Sequence, residues 1–155
     1  MNQQELDKII VKAQAICSNS GGRLTEKRQR ILELLLRSKT PLSAYEVADA
    51  YNVASDTSMP AMSVYRILDF LEAELLVHKL SSENKYVACS HIACDHAHRV
   101  PQFLICGSCR NVKEIAIPKN IVDELAEQVK TAGYKLTNSQ LELQCLCEVC
   151  QVKVA

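Results

Sequence analysis

Residues 63–80 read SVYRILDFLEAELLVHKL, and this stretch decides the fold predicted for the first half of the chain. Its apolar side chains recur at spacings of three and four residues, which places them on one face of a helix. These positions are Val64, Ile67, Leu68, Leu71 and Leu75. The closing LLVHKL and the later KYVAC flank a polar SSEN, so a two-stranded hairpin is predicted directly after the helix.

Three further helices are predicted upstream of this one. Residues 3–17 carry an apolar stripe and are followed by a glycine pair, which suits a helix end. Thr25 is placed to cap a second helix, SAYE at residues 43–46 is a capping box for a third, and Pro60 fits the first turn of the fourth. Helices followed by a hairpin have the order of a winged helix-turn-helix, whose fourth helix would read the DNA major groove. An ordinary helical domain with a surface hairpin has the same pattern.

The composition excludes some classes of protein and leaves others open. The 155 residues include no apolar run of membrane-spanning length and no recognisable signal peptide, so a cytoplasmic protein is expected. Eighteen basic residues balance eighteen acidic ones, so a basic footprint for nucleic acid must be local. The run RLTEKRQR at residues 23–30 is one candidate, although such a run usually forms an ordinary solvated helix face.

The second half of the chain has a different organisation. QFLICGSCRNVKEIAI predicts a hairpin, a helix begins at Pro118, and YKLTNSQLELQCLCEVC predicts a strand leading into a turn. This β-β-α-β unit is too small to bury much surface alone, so it is expected to pair with a second copy of itself. The overall prediction is an α+β protein with a winged-helix domain at residues 1–88, a hinge at 89–99 and a small α/β dimerisation domain at 100–155.

Two CxxC motifs, Cys106 to Cys109 and Cys147 to Cys150, predict a structural zinc site. Each motif presents two thiolates from a tight turn, and two such turns complete a closed tetrahedral shell around zinc. A redox-active CxxC and four unrelated buried thiols are the alternatives. Cys145 lies on the same strand face as Cys147 and competes with it as a ligand, although the CxxC spacing favours Cys147.

A second group of metal-binding side chains surrounds the decapeptide CSHIACDHAH at residues 89–98. His78 on the outgoing hairpin strand and Cys89 on the return strand are predicted to face each other. The histidines just downstream add further donors, and this concentration of thiol and imidazole predicts a second metal site.

At these motifs the sequence resembles the ferric-uptake-regulator family of bacterial metal-dependent repressors, and within it the zinc-sensing branch. The resemblance covers nearly the whole chain and rests on RLTEKRQRILELL, SAYEV, SVYRILDFLEAELLVHKL, YVAC, FLICGSCRNVKEI and LCEVC. It implies a homodimer that binds an AT-rich palindromic operator, with Cys106, Cys109, Cys147 and Cys150 holding structural zinc. The HHHDH run of the iron regulators is missing, and a thiolate ligand suits zinc better than ferrous iron.

The resemblance also implies particular site residues. The regulatory zinc would be bound by His78, Cys89, Glu114 and His98, with His96 as the alternative to His98. The DNA-reading residues would be Tyr45, Ser63, Tyr65 and Arg66, with Arg66 on a base edge. Phosphate contacts are expected from Arg23, Lys27 and Arg28.

The function predicted from the sequence is a zinc-responsive repressor of zinc-uptake genes that holds two Zn²⁺ per chain. Its partners would be double-stranded operator DNA and a second copy of the chain, with no membrane and no small organic substrate. An iron- or peroxide-responsive repressor is the alternative within the family. An enzyme is not expected, because no histidine has the Glu two places on that a zinc deaminase requires. A thiol oxidoreductase would need a CxxC free of metal.

Overall fold

The computed structural model describes residues 1–94 and 100–154, and these form two compact units, Met1–His96 and Ala97–Ala155. The fold is α+β, as predicted, with helices leading in the first unit and a mixed sheet in the second. No helix within the described ranges is both long and apolar enough to cross a membrane.

The first unit contains the predicted four helices and a hairpin. They are α1 (Gln3–Asn19), α2 (Glu26–Arg37), α3 (Ala44–Ala54), α4 (Ala61–Ala73), β1 (Val77–Leu80) and β2 (Lys85–Ala88). The capping box predicted for α3 is formed, because the Ser43 side chain accepts from the Glu46 N–H and the Glu46 carboxylate accepts from the Ser43 N–H. Leu42 and Tyr86 exchange two backbone hydrogen bonds, which adds a short third segment to the hairpin. The order of elements is that of a winged helix.

The core of the first unit lies between the apolar faces of the helices and the hairpin. Val64, Leu68 and Leu71 of α4 are fully buried, as the helical spacing predicted. The prediction for Leu75 is wrong: it lies beyond α4, is 49% exposed and has a φ of 57°. Its left-handed backbone reverses the chain so that the Leu76 N–H donates to the Leu71 carbonyl, and Leu76 enters the core instead.

The second unit is a three-stranded sheet with two helices. Its elements are β3 (Gln102–Cys106), β4 (Val112–Ile115), α5 (Lys119–Thr131), β5 (Glu142–Cys145) and α6 (Glu148–Val154). The strand order is β4-β3-β5, with β3 antiparallel to β4 and parallel to β5. The prediction that both CxxC motifs lie in turns is wrong for the second, because Cys150 is in the first turn of α6. The unit is therefore β-β-α-β-α.

Candidate metal centres and nucleic-acid interface

The parallel pairing of β3 with β5 explains how the two CxxC motifs meet. Cys106 is the last residue of β3, and its Cα partner on β5 is Cys145. Parallel strands end at the same edge of a sheet, so the turn after β3 and the chain after β5 leave side by side. The Gly107 N–H donates to the Cys145 carbonyl at 2.9 Å, which holds the segment after β3 against the end of β5. Cys147 follows two residues later and comes close to the first motif.

The four predicted cysteines form one cluster in the second unit. The Sγ atoms of Cys106, Cys109, Cys147 and Cys150 all lie within 4.8 Å of one another. The Cys109 and Cys147 Sγ atoms are 3.7 Å apart. A tetrahedral shell with Zn–S bonds of 2.3 Å separates its sulfurs by about 3.8 Å. The cluster therefore has the donor type and the size of a tetrathiolate metal site.

Hydrogen bonds distribute charge unevenly across this cluster. Backbone N–H groups of Cys109 and Cys147 lower the pKa of Cys106 to about 6, and the Cys147 N–H lies 3.4 Å from its Sγ. The Asn111 N–H lowers the pKa of Cys109, but bonds to the neighbouring thiols outweigh it and raise that pKa to about 11. Cys106 is thus prepared as a thiolate, while Cys109 resists the addition of further negative charge. A dication among the four sulfurs would relieve that resistance, which fits the thiolate chemistry of zinc.

Cys145 and Cys17 stand outside the cluster. Cys145 is half-buried on β5 and is not one of the four grouped sulfurs. Cys17 is fully buried in the core of the first unit, as its position on the apolar face of α1 indicated. Burial raises the pKa of the Cys17 thiol, as does the nearby carboxylate of Glu74. Cys17 therefore behaves as a small hydrophobic residue.

His78 and Cys89 form a second pair of donors within the first unit. A ring nitrogen of His78 and the Cys89 Sγ lie within 4.8 Å of each other, and the residues are 7% and 2% exposed. The two residues are not direct strand partners, because His78 is paired with Val87 while Cys89 lies two residues further and donates its N–H to the Leu76 carbonyl. The two side chains share a face as diagonal neighbours. A buried imidazole beside a buried thiol is a donor set suited to zinc.

The other predicted sensor ligands belong to the second unit or fall outside the described residues. Glu114 is half-buried on β4 of the second unit, where its Cα partner is Phe103. His96 and His98 fall within residues 95–99, outside the described residues.

The predicted DNA-reading residues lie on α3 and α4. Arg66 is exposed on the polar face of α4, and Ser63 and Tyr65 are half-buried beside it. Tyr45 on α3 is 65% exposed, and its ring meets that of Tyr65 edge to face with centroids 6.2 Å apart. The two tyrosines thus form an aromatic contact beside Arg66.

The predicted phosphate-contacting residues differ in their surroundings. Arg23 and Lys27 are exposed. Arg28 is half-buried, its guanidinium carbon lies 3.5 Å from the centre of the Phe70 ring, and its Nη1 donates to the Arg23 carbonyl at 2.7 Å. Arg30 in the same run forms an ion pair with Glu26 at 2.7 Å on the helix surface.

Sequence reasoning missed two residues that position these sites. Asn52 at the end of α3 bonds both the N–H and the carbonyl of Met59, at 2.6 and 3.2 Å, and so shapes the entry to α4. Gln102 is fully buried at the start of β3, where it bonds the Leu141 N–H and the Ser139 carbonyl. An Asn near the end of a helix and a Gln starting a strand are unremarkable in sequence, so no local signal identifies them.

The chain resembles known proteins over most of its length. The family model described as "Ferric uptake regulator family" matches residues 19–144. The chain is 31% identical over 150 residues to the zinc uptake regulation protein of Escherichia coli (strain K12), covering 97% of this chain and 85% of that protein. It is 27% identical over 148 residues to the ferric uptake regulation protein of Helicobacter pylori, covering 96% and 95%.

Two solved structures resemble the chain over nearly its whole length. A zinc uptake regulator complexed with zinc and DNA matches with a TM-score of 0.83 and 29% identity, covering 97% of this chain and 98% of that one. Holo XcZur matches with a TM-score of 0.77 and 33% identity, covering 95% and 99%.

Proposed function

Because the chain belongs to the ferric uptake regulator family, we propose that it is a zinc-responsive repressor that binds operator DNA as a homodimer. Membership makes it a metal-responsive transcriptional regulator and not an enzyme. The observation that carries the choice of zinc is the buried His78–Cys89 pair on the hairpin. The Escherichia coli protein that is similar to this chain is a zinc uptake regulation protein, and the similar structure with bound zinc and DNA is that of a zinc uptake regulator.

Two zinc ions per chain are proposed, one structural and one regulatory. Cys106, Cys109, Cys147 and Cys150 would hold the structural ion, and four thiolates leave it no open position for chemistry. The ion would supply cross-links that hold the turn after β3 to the start of α6. This role suits a unit whose own core is small.

The regulatory ion is proposed to be bound by His78 and Cys89 together with Glu114 and His98, with His96 as the alternative to His98. His78 and Cys89 belong to the first unit and Glu114 to the second, so a shared ion would link their positions. Zinc favours the DNA-binding arrangement only to the extent that this arrangement binds zinc more tightly. By reciprocity, operator DNA should tighten zinc binding by the same factor, which is about 5–150-fold for typical couplings.

The operator is proposed to be read by α4. Arg66 is exposed on its polar face and would contact a base edge, assisted by Ser63 and Tyr65 of the same helix and by Tyr45, whose ring contacts that of Tyr65. The family implies an AT-rich palindrome. Phosphate contacts from the exposed Arg23 and Lys27 would allow a chain of zero net charge to bind DNA locally.

Dimerisation is proposed to use the second unit. All thirteen residues of α5 are described and none is buried, although its apolar positions follow helical spacing. Leu143 on β5 and Val149 on α6 are 46% and 66% exposed. A second copy covering these apolar surfaces would provide the burial that the small unit lacks.

The sensor assignment is tested by comparing Cys89→Ser with Cys94→Ser. Cys94 is half-buried in the same segment and serves as the matched control. We expect the Cys89→Ser protein to stay a folded dimer, to hold one zinc per chain in place of two, and to lose zinc-dependent operator binding. The Cys94→Ser protein should match the wild type. Unchanged zinc dependence in Cys89→Ser would refute the sensor assignment, and operator binding driven by ferrous iron in place of zinc would favour the iron-responsive alternative.

The structural site has its own matched pair of variants. Cys150→Ser removes one of the four clustered sulfurs, whereas Cys145→Ser removes the half-buried neighbour outside the cluster. We expect the first to lose tightly held zinc and the folded second unit, and the second to retain both. Equal zinc content in the two variants would contradict the tetrathiolate assignment.

A further inference from the structure

We propose that Arg28 is a positioning residue that holds the reading helix α4 in place through Phe70, and does not serve as a phosphate contact. This inference rests on the proposed DNA-binding function. The proposed role of Arg28 differs from that of Arg23 and Lys27, which belong to the same basic run but are exposed.

The guanidinium of Arg28 is engaged on both its face and its edge. Its carbon lies 3.5 Å from the centre of the Phe70 ring, well inside the range of about 6 Å for a cation–π contact. Its Nη1 donates to the carbonyl of Arg23 at 2.7 Å, which helps to hold the group over the ring. A phosphate would have to compete with both of these contacts.

The Phe70 ring is held between Arg28 and the backbone of the turn after α1. A Cβ added at Gly22 would lie 3.2 and 3.3 Å from two ring carbons, so the glycine allows the ring to approach. Gly22 itself is fixed by its N–H bond to the Cys17 carbonyl at 2.8 Å. The ring therefore packs against two other elements of the same unit, the Arg28 side chain of α2 and the turn after α1, and we call this arrangement the clamp.

Phe70 connects this clamp to the residue that would read a base. It follows Arg66 by four positions, so the two side chains lie on one side of α4, one turn apart. Just beyond the helix, the Glu74 carboxylate accepts from the Ser20 hydroxyl at 2.6 Å, a second bond between α4 and the end of α1. Loosening the Arg28–Phe70 contact should let the C-terminal half of α4 shift and displace Arg66.

The test compares Arg28→Met, Arg28→Lys and Phe70→Leu with Lys27→Met in the zinc-loaded full-length protein. Arg28→Met and Phe70→Leu should each weaken operator binding on the order of tenfold and leave binding to unrelated DNA within about twofold. For both, the slope of log K against log salt on unrelated DNA should stay unchanged. Lys27→Met should weaken binding to both DNAs and reduce that slope by about one.

Two further variants separate positioning from charge. Arg28→Lys keeps the charge but not the planar stack, so it should remain impaired, whereas a phosphate contact would be rescued. The Arg28→Met/Phe70→Leu double variant should bind the operator no more weakly than the single variant that binds it less well, because both substitutions remove the same contact. A slope lowered by about one in Arg28→Met, or operator affinity unchanged in both single variants, would overturn the proposal.

A readout without DNA distinguishes this proposal from the function on which it rests. Backbone amides in the last turn of α4 and its cap, including that of Glu74, should exchange with solvent roughly tenfold faster in Arg28→Met than in Lys27→Met. If the wild type bound no operator with zinc while this difference appeared, the DNA-binding proposal would fail and the clamp would stand. Equal exchange in the two variants would refute the clamp whatever the DNA result.

Discussion

Replacing Gln102 by Leu should weaken the tetrathiolate site although the residue touches none of its sulfurs. The Gln102 side chain is fully buried and makes three hydrogen bonds at the end of β3 opposite Cys106. Its Oε1 accepts from the Leu141 N–H, and its Nε2 donates to the Ser139 and Val100 carbonyls at 3.0 and 3.3 Å. These bonds hold the segment before β5 against β3, and the β3–β5 pairing brings the two CxxC motifs together.

The size of the effect follows from those three bonds. Each contributes about 0.5–1.5 kcal/mol net, so their loss costs about 1.5–4.5 kcal/mol, and the added apolar burial of Leu returns about 1 kcal/mol. A net loss of about 0.5–3.5 kcal/mol, centred near 2 kcal/mol, is expected. If metal binding is coupled to folding of the second unit, the central value lowers zinc affinity roughly 30-fold.

The assay is chelator competition for zinc, carried out in a Cys89→Ser background so that only the four-cysteine site contributes. Gln144→Leu is the matched control, because it makes the same substitution at an exposed position of β5 in the same sheet. Gln102→Leu should release zinc at lower chelator concentrations, and Gln144→Leu should behave as the parent. Equal affinities in the two variants would refute the coupling between this buried amide and the metal site.

Three further substitutions test the first unit, each by chemical denaturation of the full chain. The Ser43 N–H holds the pKa of the Glu46 carboxyl below its usual value. Glu46→Gln should therefore lower the free energy of unfolding by about 0.5 kcal/mol above pH ~4.3, and this difference should vanish as the pH falls through the lowered pKa. A difference in unfolding free energy that persists in acid would contradict this. Leu75→Gly should stabilise by about 0.5–1 kcal/mol, because a φ of 57° strains Leu but not Gly, and a loss would show that its contacts outweigh the strain. Asn52→Ala should cost about 1–3 kcal/mol by removing both bonds to Met59, and an unchanged unfolding midpoint would rule out that role.

Features that depend on near neighbours in the chain were predicted from the sequence. The helical spacing of Val64, Leu68 and Leu71 identified their buried face, because a helix repeats every three to four residues wherever it lies. The SAYE capping box formed as predicted, since its two hydrogen bonds join residues only three apart. The paired CxxC motifs indicated a tetrathiolate site because the spacing within each motif already suits one ion.

Features that depend on contacts between distant segments were decided only by the tertiary structure. The parallel register of β3 with β5 joins residues about forty positions apart, and no periodicity within either strand specifies it. The same is true of the bonds from Gln102 to Leu141 and of the Arg28 guanidinium on Phe70. Leu75 fits the helical spacing, yet the turn that begins the hairpin takes it out of the core.

The sequence by itself therefore predicted the helices and strands other than α6, and it identified which side chains are candidates for binding metal or DNA. The tertiary structure decided which of those side chains meet, and it showed that one arginine of the basic run stacks on α4 while its neighbours face solvent. The physical reason is that backbone periodicity and capping are local, whereas a side chain's partners depend on how distant elements pack.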